Sequence, residues 1–238
     1  MNTPVLTDRY KNHRFPAEII SHAVWLSFRF CLGYRDVEEL LFARGIVVTY
    51  EAIRKWCRKF GQSYANQLRR RRPRPGDTWH LDEVFLTING ERHDLWRAVD
   101  QDGTVLDMLV QGRRDKTAAK TFVRKLLKGC QYVPRVLVTD RLKRYGAAKC
   151  EMLPSVEHRQ HRYSNHRAEH SHQPTRQRER RMQGFKSPGH AQRFLSGYGP
   201  IAQHVRPRRH RVSASAYRQE IRRRFDTWQD LTNLPTAA

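Results

Sequence analysis

Thr78-Trp79-His80-Leu81-Asp82-Glu83-Val84-Phe85-Leu86-Thr87-Ile88-Asn89-Gly90 is where the chain changes its period. Upstream, apolar residues recur at helical spacing. Here β-branched and aromatic residues dominate, and the run ends on Asn-Gly, the strongest short hairpin signal. A strand over Thr78 to Ile88 is therefore expected, with a returning strand from Glu91 to Val99. A second turn at Asp102-Gly103 leads into a third strand, Thr104 to Val110. Asp115 then caps a helix whose Ala118, Ala119, Phe122, Val123, Leu126 and Leu127 form an apolar stripe, with Gly129 as its stop. Pro134 opens a fourth strand, in which the unbroken Val136-Leu137-Val138 suits burial on both faces of a parallel arrangement.

Three antiparallel strands, a helix and a buried strand outline an α/β (α+β) fold, a ribonuclease-H-like core with a mixed sheet. In such a core Asp82 lies on the first strand. Asp140 follows the fourth, at the strand end where open α/β sheets place ligands. A third acid, Glu169, stands in Asn165-His166-Arg167-Ala168-Glu169. Three carboxylates in a strongly basic chain suit divalent metals working on phosphates, with Glu157 and Glu179 as the reserve candidates for the third ligand. Glu83 neighbours Asp82 but points to the other face of its strand, and is read as structural.

The seventy residues before the strands read as an all-α domain. Pro16 suits a first helical turn, followed by Ile20, Ala23, Val24 and Ser27 at helical spacing. A second helix runs from Tyr34 to Arg44, with Val37, Leu40 and Leu41 inward and Gly45 as a stop. Thr49 caps a third helix, expected to end at Gly61, with Ile53, Trp56, Cys57 and Phe60 inward and Arg54, Lys55, Arg58 and Lys59 outward. Helix, turn and basic helix make a helix-turn-helix, whose second helix enters the major groove. Arg69, Arg70, Arg71 and Arg72 open a Pro/Gly stretch that reads as a linker able to lie along phosphates. The expected organisation is residues 1–68 for the helical domain, 69–77 for the linker, 78–200 for the catalytic core and 201–238 for a basic helical tail.

Composition agrees with a polyanionic partner. Lys and Arg outnumber Asp and Glu by 46 to 23 in 238 residues, a formal net charge of +23, so binding to nucleic acid should weaken with salt. Charge alone would suit a ribosomal-type protein equally well. The four cysteines form no Cys-x-x-Cys pair, so neither a zinc ribbon nor a disulfide framework is expected. The apolar run from Ile19 to Phe30 is interrupted by His22 and Arg29 and is too short to cross a bilayer, so no membrane is expected and the cytoplasm is the default location. Residues 155–183 are rich in Arg and His and read as disordered or as a polar helix; Pro174 requires that helix to kink or to begin after Glu169. His158, His161, His166, His170 and His172 lack tetrahedral Cys/His spacing for zinc. Trp79, Trp96 and Tyr145 are candidates for base stacking, with core packing preferred for Trp96.

The strings Asp77-Thr78-Trp79-His80-Leu81-Asp82-Glu83, Val138-Thr139-Asp140, Val156-Glu157-His158-Arg159-Gln160, Ala168-Glu169-His170-Ser171-His172-Gln173-Pro174 and Phe185-Lys186-Ser187-Pro188-Gly189 together resemble the DDE transposases of small bacterial insertion sequences, of the IS-six type. The resemblance spans about residues 15 to 225. It implies that Asp82, Asp140 and Glu169 are the catalytic, metal-binding triad and that Mg²⁺ or Mn²⁺, as two ions, is the cofactor. It implies an N-terminal domain that recognises terminal inverted repeats, with double-stranded DNA of the element's ends and of the target as partner, and a homo-oligomer on DNA. Arg141, His166 and His170 depart from the family pattern close to the acids. Two divalent ions about 3.5–4 Å apart can serve both the attacking and the leaving oxygen of an in-line displacement, which is the chemistry such a triad supports. By the family's mechanism water frees a 3′-hydroxyl at the element's end, and that hydroxyl attacks the target strand. The alternative reading is a catalytically inactive DNA-binding repressor derived from a transposase; within enzymes, it is a structure-specific nuclease of the same fold.

Overall fold

The computed structural model describes residues 9–30, 32–113, 115–140, 143–160, 168, 171–182, 184–205 and 212–232. Two compact units divide the chain, one built from residues up to Arg71 and from Pro200 onward, the other from Arg72 to Gly199.

The second unit is a five-stranded sheet with helices. Strands β1 (Thr78–Ile88), β2 (Glu91–Asp100) and β3 (Val105–Gln111) form an antiparallel meander. Its first turn has Asn89 and Gly90 both at positive φ, 52° and 81°, as a two-residue hairpin of the favoured twist requires. Strands β4 (Val136–Thr139) and β5 (Glu157–Gln160) join parallel, giving the order β3-β2-β1-β4-β5. This is the mixed sheet of the ribonuclease-H-like fold.

Period-two alternation sorts the side chains of the long strands. Trp79, Leu81, Trp96 and Ala98 enter one core, with Phe122, Val123 and Leu126 of the crossover helix Lys116–Cys130. Leu86, Ile88, Leu95 and Met108 face the other way, onto Phe185, Ala191 and Leu195. The crossover helix is capped by Asp115, whose side chain accepts from the Ala118 amide at 2.8 Å. It runs past Gly129 and ends where Gln131 turns left-handed, φ 49°, and donates to the Leu127 carbonyl. Gly129 is thus an interior helix residue rather than the stop.

Of the two readings of residues 155–183, disorder or a polar helix, the described part of that stretch holds a strand and a helix. β5 holds the polar Glu157-His158-Arg159-Gln160 as an edge strand, and its backbone pairing with β4 needs no apolar signature. A later helix, Gln173–Arg181, carries Pro174 in its first turn, where the missing amide removes no helical bond. The helix therefore begins after Glu169 and does not kink.

The first unit is helical: α1 (Ala17–Arg29), α2 (Tyr34–Phe42) and α3 (Tyr50–Arg71), with Ala214–Thr232 packed on it. Val37 and Leu41 of α2 are buried, but Leu40 is exposed. Gly45, at φ 75°, closes α2 as expected. α3 corrects two expectations. It does not stop at Gly61 but continues its stripe through Tyr64, Ala65 and Leu68, all buried. A Cβ on Gly61 would meet the Phe28 ring at 3.1 Å, so this glycine permits close helix packing. The arginines assigned to a linker begin inside a helix, since Arg69, Arg70 and Arg71 are its last turn. Among the described residues no helix is long and apolar enough to cross a membrane.

Candidate active site

β1 and β4 run parallel with His80 opposite Val138. Two residues beyond this pair stand Asp82, still within β1, and Asp140, directly after the last residue of β4. Each is half-buried. Glu169 lies outside the described residues, as do Arg141, His161, His166 and His170. The structure thus brings two of the three expected acids together.

Asp82 lies beside a buried guanidinium and a buried imidazole. Its partner across the β1/β2 ladder is Arg97, 2% exposed. Burial pushes the Arg97 guanidinium down to about 10, while Tyr198 and Asp82 act in the opposite direction. The ring of His172, also buried, approaches the Asp82 carboxylate with Nε2 3.5 Å from Oδ2. A buried arginine that keeps its charge at neutral pH needs hydrogen-bond acceptors and a counter-charge; Asp82 contributes the latter.

On the opposite face of β1, Glu83 is buried and accepts a hydrogen bond from the Tyr145 hydroxyl. Burial first, then the charges of Glu83, Asp82 and Asp140, hold the Tyr145 phenol well above its ordinary range. Thr139, fully buried between Val138 and Asp140, is hydrogen-bonded to His158 Nε2 at 2.9 Å.

As a donor set, two carboxylates on rigid neighbouring strands fit a hard divalent cation that prefers oxygen ligands and keeps several waters. Among the described residues no group of three His, Cys, Asp or Glu side chains is gathered to hold a metal. Glu157, one reserve candidate, pairs with Arg159 at 2.7 Å and is aligned with Val136, four residues short of the Asp140 level, roughly 13 Å along the sheet. Glu179, the other, sits on the Gln173–Arg181 helix, where burial raises its carboxyl above the usual range.

The nucleic-acid residues read from the sequence divide. Arg54, Lys55, Arg58 and Lys59 are exposed on one side of α3. Arg54 is held by Glu51 through Nε at 3.0 Å and Nη2 at 2.8 Å, and Lys59 meets His13 Nε2 at 2.9 Å. Arg70 and Arg71 are exposed, while Arg69 donates to Asn66 at 2.9 Å. Arg72 turns inward, donating to the Leu106 carbonyl at 3.0 Å. The candidate stacking platforms are buried: Trp79 donates its indole N–H to the Gly76 carbonyl at 2.9 Å, and Trp96 and Tyr145 pack edge to face in the core. Arg97 was missed by sequence reasoning, and His172 was singled out there only among histidines without zinc spacing. The signal for Arg97, a lone arginine within Leu95-Trp96-Arg97-Ala98-Val99, marks a buried charge only once the strand's two faces are known to be covered.

A model of the DDE domain of IS240-type transposases matches residues 76–217. The transposase of insertion sequence element IS257 in transposon Tn4003 of Staphylococcus aureus is 26% identical over 185 residues, covering 75% of this chain and 81% of the relative. The transposase of the insertion sequence-like element IS431mec of the same organism shows the same identity and coverage. Among solved structures, the catalytic core domain of BIV integrase aligns with a TM-score of 0.41 at 13% identity, over 65% of this chain and all but 1% of that one. The HTLV-2 integrase catalytic core domain, in complex with magnesium, aligns with 0.34 at 13% identity, over 42% of this chain and 66% of that one.

Proposed function

We propose, from the premise that this chain belongs to the DDE family of insertion-sequence transposases, that Asp82, Asp140 and Glu169 are its metal-binding acids and that it cuts and joins DNA at the terminal inverted repeats of its element. The observation that carries the reading is the parallel register of β1 with β4, His80 opposite Val138, which leaves Asp82 two residues further along β1 and Asp140 directly after the end of β4, inside the matched domain. Divalent-metal dependence goes with the family; Mg²⁺ or Mn²⁺, as a pair of ions, is our assignment. Bound there, the ions would stabilise charge on the attacking and leaving oxygens. The protein's part is to hold two hard donors rigidly on strands and to keep both faces of the sheet covered.

DNA is recognised, in this reading, by α3 of the helical unit through Arg54, Lys55, Arg58 and Lys59, with Arg70 and Arg71 on phosphates. Arg69 and Arg72 are weaker candidates because each already donates within the protein. A homo-oligomer on two DNA ends and a cytoplasmic site of action complete the proposal.

Asp82→Ala, Asp140→Ala and Glu169→Ala should each lower Mg²⁺-dependent cleavage of a repeat-containing duplex by about 10²-fold or more, while affinity for that duplex stays within about threefold. Near-normal cleavage by Glu169→Ala would return the third position to Glu179. Strand transfer into a second duplex separates a transposase from a nuclease of the same fold.

A further inference from the structure

Arg97 is a guanidinium on the middle strand of three, 2% exposed, with Asp82 of β1 on one side and Met108 of β3 on the other in register. Its Nη1 donates to the carbonyl oxygen of Ser171, and its Nη2 donates to the Thr175 hydroxyl and lies 3.1 Å from the Met108 sulfur. Both oxygen acceptors belong to the stretch that follows Glu169: Ser171 comes two residues later, and Thr175 is in the first turn of Gln173–Arg181. No side chain caps that helix at His172; its first backbone bond runs from the Arg176 amide to the His172 carbonyl, and the Arg97 bonds tie the same turn to the sheet. Asp82, the residue opposite Arg97, is the first acid of the proposed triad.

We propose that Arg97 is a positioning residue: it fastens Ser171 and the first turn of Gln173–Arg181 to the middle of the sheet at the level of Asp82, and so fixes the surroundings in which Asp82 would hold a metal ion. The inference rests on the reading of Asp82, Asp140 and Glu169 as the metal-binding acids. An arginine suits the task because its planar fork serves two acceptors at once from one rigid group, whereas a lysine ammonium is a point donor on a shorter reach. Burial on both sides of the sheet keeps water from competing for the same acceptors.

Two variants of the full chain test this, Arg97→Lys, which keeps the charge but loses the fork, and Thr175→Val, which keeps Arg97 and removes one acceptor at nearly constant shape. In both, backbone amides of residues 168–176 should exchange hydrogen about tenfold faster, with β1, β2 and β4 unchanged. The Mn²⁺ concentration for half-saturation, read from the free-ion electron paramagnetic resonance signal without DNA, should rise about tenfold. Exchange that is unchanged in the segment, or accelerated equally across the strands, would overturn the proposal, as would wild-type Mn²⁺ half-saturation in both variants. If Arg97→Lys does not fold, Thr175→Val carries the same outcomes. Failure of the underlying reading looks different: wild type would then bind no Mn²⁺, or Asp82→Asn would bind it as wild type does.

Discussion

Glu83 and Tyr145 illustrate how neighbouring residues on one strand take different tasks. Alternation sends Asp82 to the face with Arg97 and His172, and Glu83 to the core beneath Trp96. Tyr145→Phe would remove a buried donor to Glu83 and should cost about 1–3 kcal/mol of stability in denaturant unfolding. Asp100 offers a pH test. Its Oδ1 accepts from the amides of Asp102 and Thr104 at 2.9 and 2.8 Å, yet burial still raises the carboxyl above its usual range. A raised folded pKa means that ionisation costs the folded state more than the unfolded one. The penalty is full above the folded pKa and fades as pH falls through it toward the unfolded value near 3.9. Asp100→Asn keeps the Oδ1 acceptor without the charge. Its melting temperature should exceed that of wild type at pH 7, and the two should converge near pH 4; a constant difference at all pH values would contradict the argument.

At the scale of an element, α3 joins two jobs in one helix. Its buried stripe from Ile53 to Leu68 secures it in the helical unit, and its basic side remains exposed. The bond between Glu51 and Arg54 places a negative charge and an occupied guanidinium on the side proposed to meet DNA. Glu51→Gln should therefore strengthen binding to both specific and random duplexes and steepen the dependence of log affinity on log salt by about one. Arg58→Ala should act in the reverse sense. If Arg58 reads a base edge, its loss on the terminal repeat will exceed its loss on random DNA by about tenfold; equal losses would make it a phosphate contact. Leu68→Ala lies beyond the glycine that suggests a stop. Because Leu68 is buried, about 2–4 kcal/mol should be lost on unfolding the helical unit.

For the whole molecule the balance between a very basic chain and its few acids becomes measurable. Three converging carboxylates alone would repel one another, and from sequence one expects Asp82→Asn to leave the metal-free protein no less stable. The structure reverses that expectation, because Arg97 and His172 lie beside Asp82 and the buried guanidinium relies on it for counter-charge. Asp82→Asn should destabilise the metal-free protein by roughly 1–3 kcal/mol, less than a fully buried broken pair because the Asp82 side chain remains 13% exposed. Mg²⁺ should raise the melting temperature of wild type by mass action and leave the variant nearly unmoved. Thermal unfolding with and without Mg²⁺ at fixed ionic strength decides this. Equal shifts in the two proteins would place the ion elsewhere.

Period-two runs, Asn89-Gly90, the Asp115 cap and the continuous Val136-Leu137-Val138 made the meander, crossover helix and buried strand legible from sequence, because each is a local preference written in a few adjacent residues. The same reading set Asp82 on the first strand and Asp140 after the end of the fourth, two strands that the sheet makes neighbours. It failed where a residue's meaning depends on what packs against it. Gly61 looks like a helix stop until the Phe28 ring is seen to need the space, and Gly129 looks like one until Gln131 is found to take the left-handed turn instead. β5 carries no apolar pattern, since an edge strand is held by backbone bonds to β4. Sequence by itself determined the strand order of the meander and the exposed basic side of α3, and it named the acids proposed for the site. Only tertiary structure decided that Arg97 and His172 would stand beside Asp82, because burial of a charge depends on contacts with residues more than seventy positions away along the chain.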